Sequence, residues 1–219
     1  MEVEGFVASG FEPVRDAFAR NFAERLEGGA GFAVAIDGEP VVNIWGGHAD
    51  RAKTRPWTQD TLVPVHSTTK PIAALVVAML VEQGKLDFDA PVASVWPEFG
   101  AEGKDRVTLG QALSHQAGVP GFVQRIDPDL WLDPPALAAA LAALKPLWPP
   151  GAACGYHAMT YGYIAGEVVR RVSPRSLGQI LRHDVCEPLG LDFWIGLPES
   201  EHARCADQQL PANLPDFGE

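Results

Sequence analysis

The chain has 219 residues, 47% of them hydrophobic, enough for one soluble globular domain with a substantial core. Its 28 acidic residues outnumber its 17 basic ones and leave a formal net charge of -11. Such a surface repels phosphate backbones and anionic bilayers, so neither nucleic acid nor a membrane is an expected partner.

In chain order, the opening MEVEGFVASG has neither a basic n-region nor an apolar h-region, so no secretory signal is read there. Val14, Phe18, Phe22 and Leu26 recur every four residues and predict a helix over Glu12 to Leu26, ended by Gly28 and Gly29. Two apolar runs, Phe32–Ile36 and Val41–Trp45, flank Asp37-Gly38 and predict a hairpin, because glycine accepts the positive φ of the turn. Pro40 stands near the start of the second strand, where a missing donor matters least. Gly46 to Val65 reads as loop with a short strand.

Ser67 then opens STTKPIAALVVAMLVEQGK. Pro71 suits a first helical turn, Ile72 to Val81 is apolar all round, and Gly84 supplies the stop. A central buried helix is expected, since ten apolar residues are too few to cross a bilayer. Asp89 is expected to cap a short helix with Pro91 in its first turn, and Thr108 another over 108–113. Pro134 to Leu144, Thr160 to Val172 and Leu177 to Val185 read as helices, with the Pro/Gly-punctuated loop PLWPPGAACGY between the first two. From Pro198 the chain turns polar and Pro-rich, and a poorly ordered tail over 198–219 is expected. The three cysteines, Cys154, Cys186 and Cys205, form an odd and sparse set. With no signal peptide they point to free thiols and a cytoplasmic location.

Ser67-Thr-Thr-Lys70 is an S-x-x-K motif at a helix start. Positions i and i+3 share a face, so the lysine amine can reach the serine hydroxyl. Serine is a weak nucleophile and needs an adjacent base. A lysine serves only when neutral, a state that burial or a neighbouring cation favours. Alone, the motif is weak and is better explained by a serine N-cap beside a solvated lysine. Its setting, between a strand-rich start and an apolar helix, is what the mechanism requires.

Several stretches, in this order, carry a resemblance: VHSTTKPIAALVVAMLVEQGKLDFDAPVASVWPEF, VTLGQALSHQAGVPGF, WPPGAACGYHAMTYGYIAGEVVRRV and EPLGLDFWIGLP. The chain resembles the β-lactamase-like serine hydrolases, in particular the family VIII carboxylesterases, which are similar to class C β-lactamases. The resemblance implies an α/β fold of the β-lactamase/transpeptidase-like type, an antiparallel sheet with flanking helices and a helical region. It implies one incomplete domain: 1–66 as N-terminal helix and strands, 67–197 as the helical region with the catalytic motifs, then the tail. It further implies that Ser67 is the acylated nucleophile, Lys70 its base, and Tyr156 the relay that protonates the leaving group. No cofactor is implied, and a small-molecule ester is the expected substrate.

Two departures from the family pattern follow. The family's Tyr-x-Asn triplet is here Tyr156-His157-Ala158, and Ala158 has no group to bond the amide that the lactamase asparagine contacts. This favours simple esters over β-lactam or D,D-peptide substrates. No K-T-G-type motif follows Lys145, so the strand that carries it in the family is expected to be absent. The hairpin would then expose an edge open to self-association or to a complementing chain, and an inactive fragment acting by binding is the alternative. His157, Trp131 and Trp148 are the candidate substrate-contacting residues. His66 reads as a core histidine, and Ser114-His115 as a pair that hydrogen-bonds its own loop. Cys154/His157, His183/Cys186 and His202/Cys205 share a three-residue offset, but one pair falls in a helix, and no metal is expected.

Overall fold

The computed structural model describes residues 2–24 and 27–208, and Leu26 of the predicted first helix lies outside them. The chain divides into two units, Met1–Pro64 with Leu197–Glu219, and Val65–Gly196.

In the first unit β1 (Val3–Val7), α1 (Glu12–Glu24), β2 (Gly29–Ile36) and β3 (Glu39–Gly47) follow one another. The strands pair antiparallel in the order β1-β3-β2. Asp37 and Gly38 both take positive φ, 52° and 85°, as the predicted two-residue turn demands. The register shifts between Val34 and Ala35, and Ala35 faces Pro40, which has no N–H to give the ladder. Alternation along β3 buries Val42 and Ile44 against Phe18, with Phe22, Val14 and Val34 packed around them. The expected hairpin therefore gains a third strand, β1, along β3. The periodic reading missed it because its residues, VEGFV, include a charge and a glycine and are mostly exposed. Gly5 is required there: its φ is +88°, and a Cβ would meet the Asn43 carbonyl oxygen at 2.0 Å.

The segment expected to be a loose tail is instead tied down as far as Gln208. Glu199–Arg204 forms a 3-10 turn. Leu62 and Cys205 make a parallel bridge, and Asp207 N–H donates to the Ala49 carbonyl at 2.7 Å. Arg55 donates to the carbonyls of Ala203 and Cys205. A polar composition did not preclude order, because these bonds use backbone rather than apolar burial. Residues 209–219 lie outside the described residues.

Asp50 organises the intervening loop. Its carboxylate accepts from the Thr54 N–H and hydroxyl and the Arg55 N–H. The Thr54 hydroxyl first, and the Arg55 N–H next, lower its pKa from the ordinary 3.8 to about 2. A folded pKa below the unfolded one gives stability that is complete above pH 3.8 and lost as pH falls toward 2. In an acid titration followed by circular dichroism, Asp50→Asn is expected to be less stable at neutral pH. It should also show a shallower loss of stability with falling pH in that window.

The second unit is built around α2 (Thr69–Glu82), α3 (Leu109–Leu113), α4 (Pro134–Ala142), α5 (Thr160–Val172) and α6 (Leu177–Leu181). After α6 the chain runs through a π turn, Arg182–Cys186, and a final turn that Gly190 ends. Thr108 and Ser176 close capping boxes with Gln111 and Gln179. The short helix expected after Asp89 begins later, as a 3-10 turn over Val92–Ser94. Asp89 does not cap it: Pro91 stands at the N-cap and has no side-chain oxygen to offer.

One contiguous core joins Val76, Val77 and Leu80 of α2 to Ile164, Val168 and Val169 of α5 and Ile180 and Leu181 of α6. Burial of each such side chain contributes about 1.5–3 kcal/mol before entropy is charged. The expectation that α2 is buried all round holds for one face: Leu75, on the other, is 44% exposed. Lys104 is buried outright. Its Nζ donates to the Ala101 and Leu144 carbonyls, and burial pushes the amine below its usual pKa.

Candidate active site

Ser67 lies in a 3-10 turn, His66–Thr68, that leads directly into α2. His66 enters this turn at φ +46°, a region in which a side chain is strained, and it is exposed rather than the core histidine expected. The turn and the first turn of α2 point Ser67 and Lys70 the same way. Lys70 Nζ donates to Ser67 Oγ at 3.2 Å. From the loop before α5, the Tyr156 hydroxyl donates to the same oxygen at 2.6 Å. Both contacts meet the distance a proton transfer needs.

Lys70 is half-buried, with Nζ 4.8 Å from the Tyr156 ring centroid and 5.9 Å from that of Tyr161. The Tyr161 hydroxyl donates to the Lys70 carbonyl at 3.2 Å and so ties α5 to α2 beneath the site. The Ser67 hydrogen bond, and after it the hydrogen bond and charge of Lys70, hold the Tyr156 phenol below its usual pKa. The phenol can therefore give its proton to a departing oxygen and, once ionised, take one from Ser67.

The other expected contacts are placed differently. His157, expected to touch substrate, is completely buried. Its Nε2 accepts from the Val119 N–H at 3.1 Å and its Nδ1 donates to the Gly155 carbonyl at 2.6 Å. Both ring nitrogens are spent inside the protein, so His157 supports the tyrosine loop and does not face substrate. Trp148 donates from Nε1 to the Ala153 carbonyl and packs edge-on against His157. Trp131 packs against Phe122 and Tyr163, whose hydroxyl donates to the Trp131 carbonyl. Among the described residues neither tryptophan makes a ring or hydrogen-bond contact with Ser67, Lys70 or Tyr156. Ala158 is exposed beside the loop.

Trp148 also fixes Gly155. A Cβ there would lie 2.3 Å from the indole. Gly155→Ala must displace either that ring or the backbone next to Tyr156. It is expected to destabilise the fold by about 1–3 kcal/mol, read as a lower denaturant midpoint at unchanged m.

The site is thus a serine within hydrogen-bond reach of a lysine of the next helical turn and of a tyrosine from a distant loop, and sequence comparison gives the family. The family model described as Beta-lactamase matches residues 18–216, and the chain belongs to this family. Its fold is therefore β-lactamase/transpeptidase-like, as the resemblance implied. It is similar to a penicillin-binding protein homologue from Caulobacter crescentus, with 54% identity and TM-score 0.95, covering 100% of this chain and 59% of that one. It is similar to a family VIII carboxylesterase, with 49% identity and TM-score 0.89, covering 95% of this chain and 58% of that one. The Esterase/beta-lactamase LipL of Mycobacterium tuberculosis is 37% identical over 209 residues, 93% of this chain and 48% of LipL. The chain thus spans about half the length of the curated relatives it matches. No helix among the described residues is long and apolar enough to cross a membrane.

Proposed function

We propose that the protein hydrolyses carboxylic esters through an acyl-Ser67 intermediate. The observation that carries this reading is the convergence of Tyr156 OH and Lys70 Nζ on one hydroxyl, at 2.6 and 3.2 Å. Ser67 Oγ attacks the ester carbonyl while its proton passes to the Lys70–Tyr156 pair that faces it. Peptide N–H groups at the start of α2 favour the developing oxyanion. As the C–O bond breaks, Tyr156 gives its proton to the leaving alkoxide and recovers one from Lys70. Water then attacks the acyl carbonyl, its proton goes to the same pair, and the acid leaves with Ser67 restored.

Ala158 favours esters over lactams, since it has no group to bond a substrate amide. A carboxylesterase structure and a relative named both esterase and beta-lactamase stand among its similar proteins, so the two activities are tested together. Turnover of a p-nitrophenyl ester, labelling of Ser67 by a fluorophosphonate, and slow or absent turnover of a chromogenic cephalosporin are expected. Faster cephalosporin hydrolysis would reverse the substrate assignment. An unlabelled Ser67 in the folded chain would favour a non-catalytic, binding role.

A further inference from the structure

We propose that His115 is a positioning residue for Tyr156: its carbonyl holds the Gly155 N–H before the phenol, its neutral imidazole holds the His157 N–H after it, and protonation of the ring releases the second of these. This rests on the ester-hydrolase reading only in its consequence for rate.

The geometry is a two-histidine clamp. The Gly155 N–H donates to the His115 carbonyl at 3.0 Å, and the His157 N–H donates to His115 Nδ1 at 3.1 Å. From the other side His157 bonds the Gly155 carbonyl and the Val119 N–H. Tyr156 is thus the residue between two peptides that are each fastened to the 115–119 loop. Its ring meets the His115 ring edge to face, with centroids 4.9 Å apart. His115 itself takes φ +66°, which aims both its carbonyl and its ring at the 155–157 segment. The phenol is 54% exposed, so packing alone does not fix it.

Nδ1 can accept only without a proton, so the clamp needs His115 as its Nε2–H tautomer. Protonation would set two N–H groups against each other. The titratable and charged groups facing His115 are Lys70 from α2, Tyr156 and His157 from the loop, and Tyr161 from α5. Burial first and the Lys70 charge second lower the His115 pKa, which keeps the clamp closed at neutral pH. Burial also lowers that of His157, against the pull of the Gly155 carbonyl. Release is therefore expected only on the acid side of the ordinary histidine value, about 6.5.

Two variants of the full chain test this. Asparagine accepts positive φ and carries an acceptor that does not titrate, whereas leucine carries none. His115→Leu should lower kcat for an alkyl ester about a hundredfold with KM little changed, and His115→Asn should restore most of it. Backbone amide exchange, which needs no activity, gives a second arm. The His157 N–H should be protected in the wild type and His115→Asn, and exchange much faster in folded His115→Leu. Ring nitrogen shifts should show Nδ1 bare at pH 7. A protonated Nδ1 at pH 7, or equal protection of the His157 amide in His115→Leu, would overturn the proposal. If the wild type hydrolyses no ester while the exchange pattern holds, the hydrolase reading fails and the clamp stands.

Discussion

Ser67→Ala is expected to remove ester turnover almost entirely, by about 10⁴-fold or more, while leaving the fold intact. Ser67 is exposed and its hydroxyl is only an acceptor for Lys70 and Tyr156, so no core contact is lost. The loss is large because serine supplies the bond that is made. In the proposed mechanism Lys70 and Tyr156 move protons, and without an acyl-enzyme they have no step to serve. Intact-protein mass spectrometry during turnover provides the direct reading. The wild type should carry one acyl group on the peptide containing Ser67, and the variant none. Acylation elsewhere, or wild-type turnover by Ser67→Ala, would remove the nucleophile assignment.

Tyr156→Phe is expected to lower kcat for an alkyl ester by about 10²–10⁴-fold. One oxygen is deleted, the ring keeps its edge contact with His115, and KM should change little. The size of the loss should depend on the leaving group. An alkoxide needs a proton to depart and a p-nitrophenolate does not, so the variant should lose much less against the activated ester. Equal losses on both would mean that the phenol acts on Ser67 and not on the departing oxygen. Either result leaves the Lys70 contact with Ser67, at 3.2 Å, in place.

Local chemistry made much of the fold legible. The Asp37-Gly38 turn, the Thr108 cap with Gln111, and the four-residue repeat of Val14, Phe18 and Phe22 each state their conformation within a few residues. The elements that escaped rely on distant partners. β1 exists because β3 offers it a ladder, and the turn near Glu199 is secured by bonds to Leu62, Ala49 and Arg55. The all-apolar appearance of α2 concealed which face would be covered, for composition carries no information on which side neighbours arrive.

The sequence by itself determined the pair Ser67 and Lys70, because one helical turn joins them and no folding beyond that turn is needed. It also marked Tyr156, though only through resemblance to a family. Tertiary structure alone decided that the Tyr156 hydroxyl reaches Ser67 across 89 positions of chain, that His157 turns inward, and that His115 fastens the loop. Those three facts depend on how the 115–119 and 155–157 loops meet. Hydrogen bonds between segments far apart in sequence leave no periodic trace in either segment.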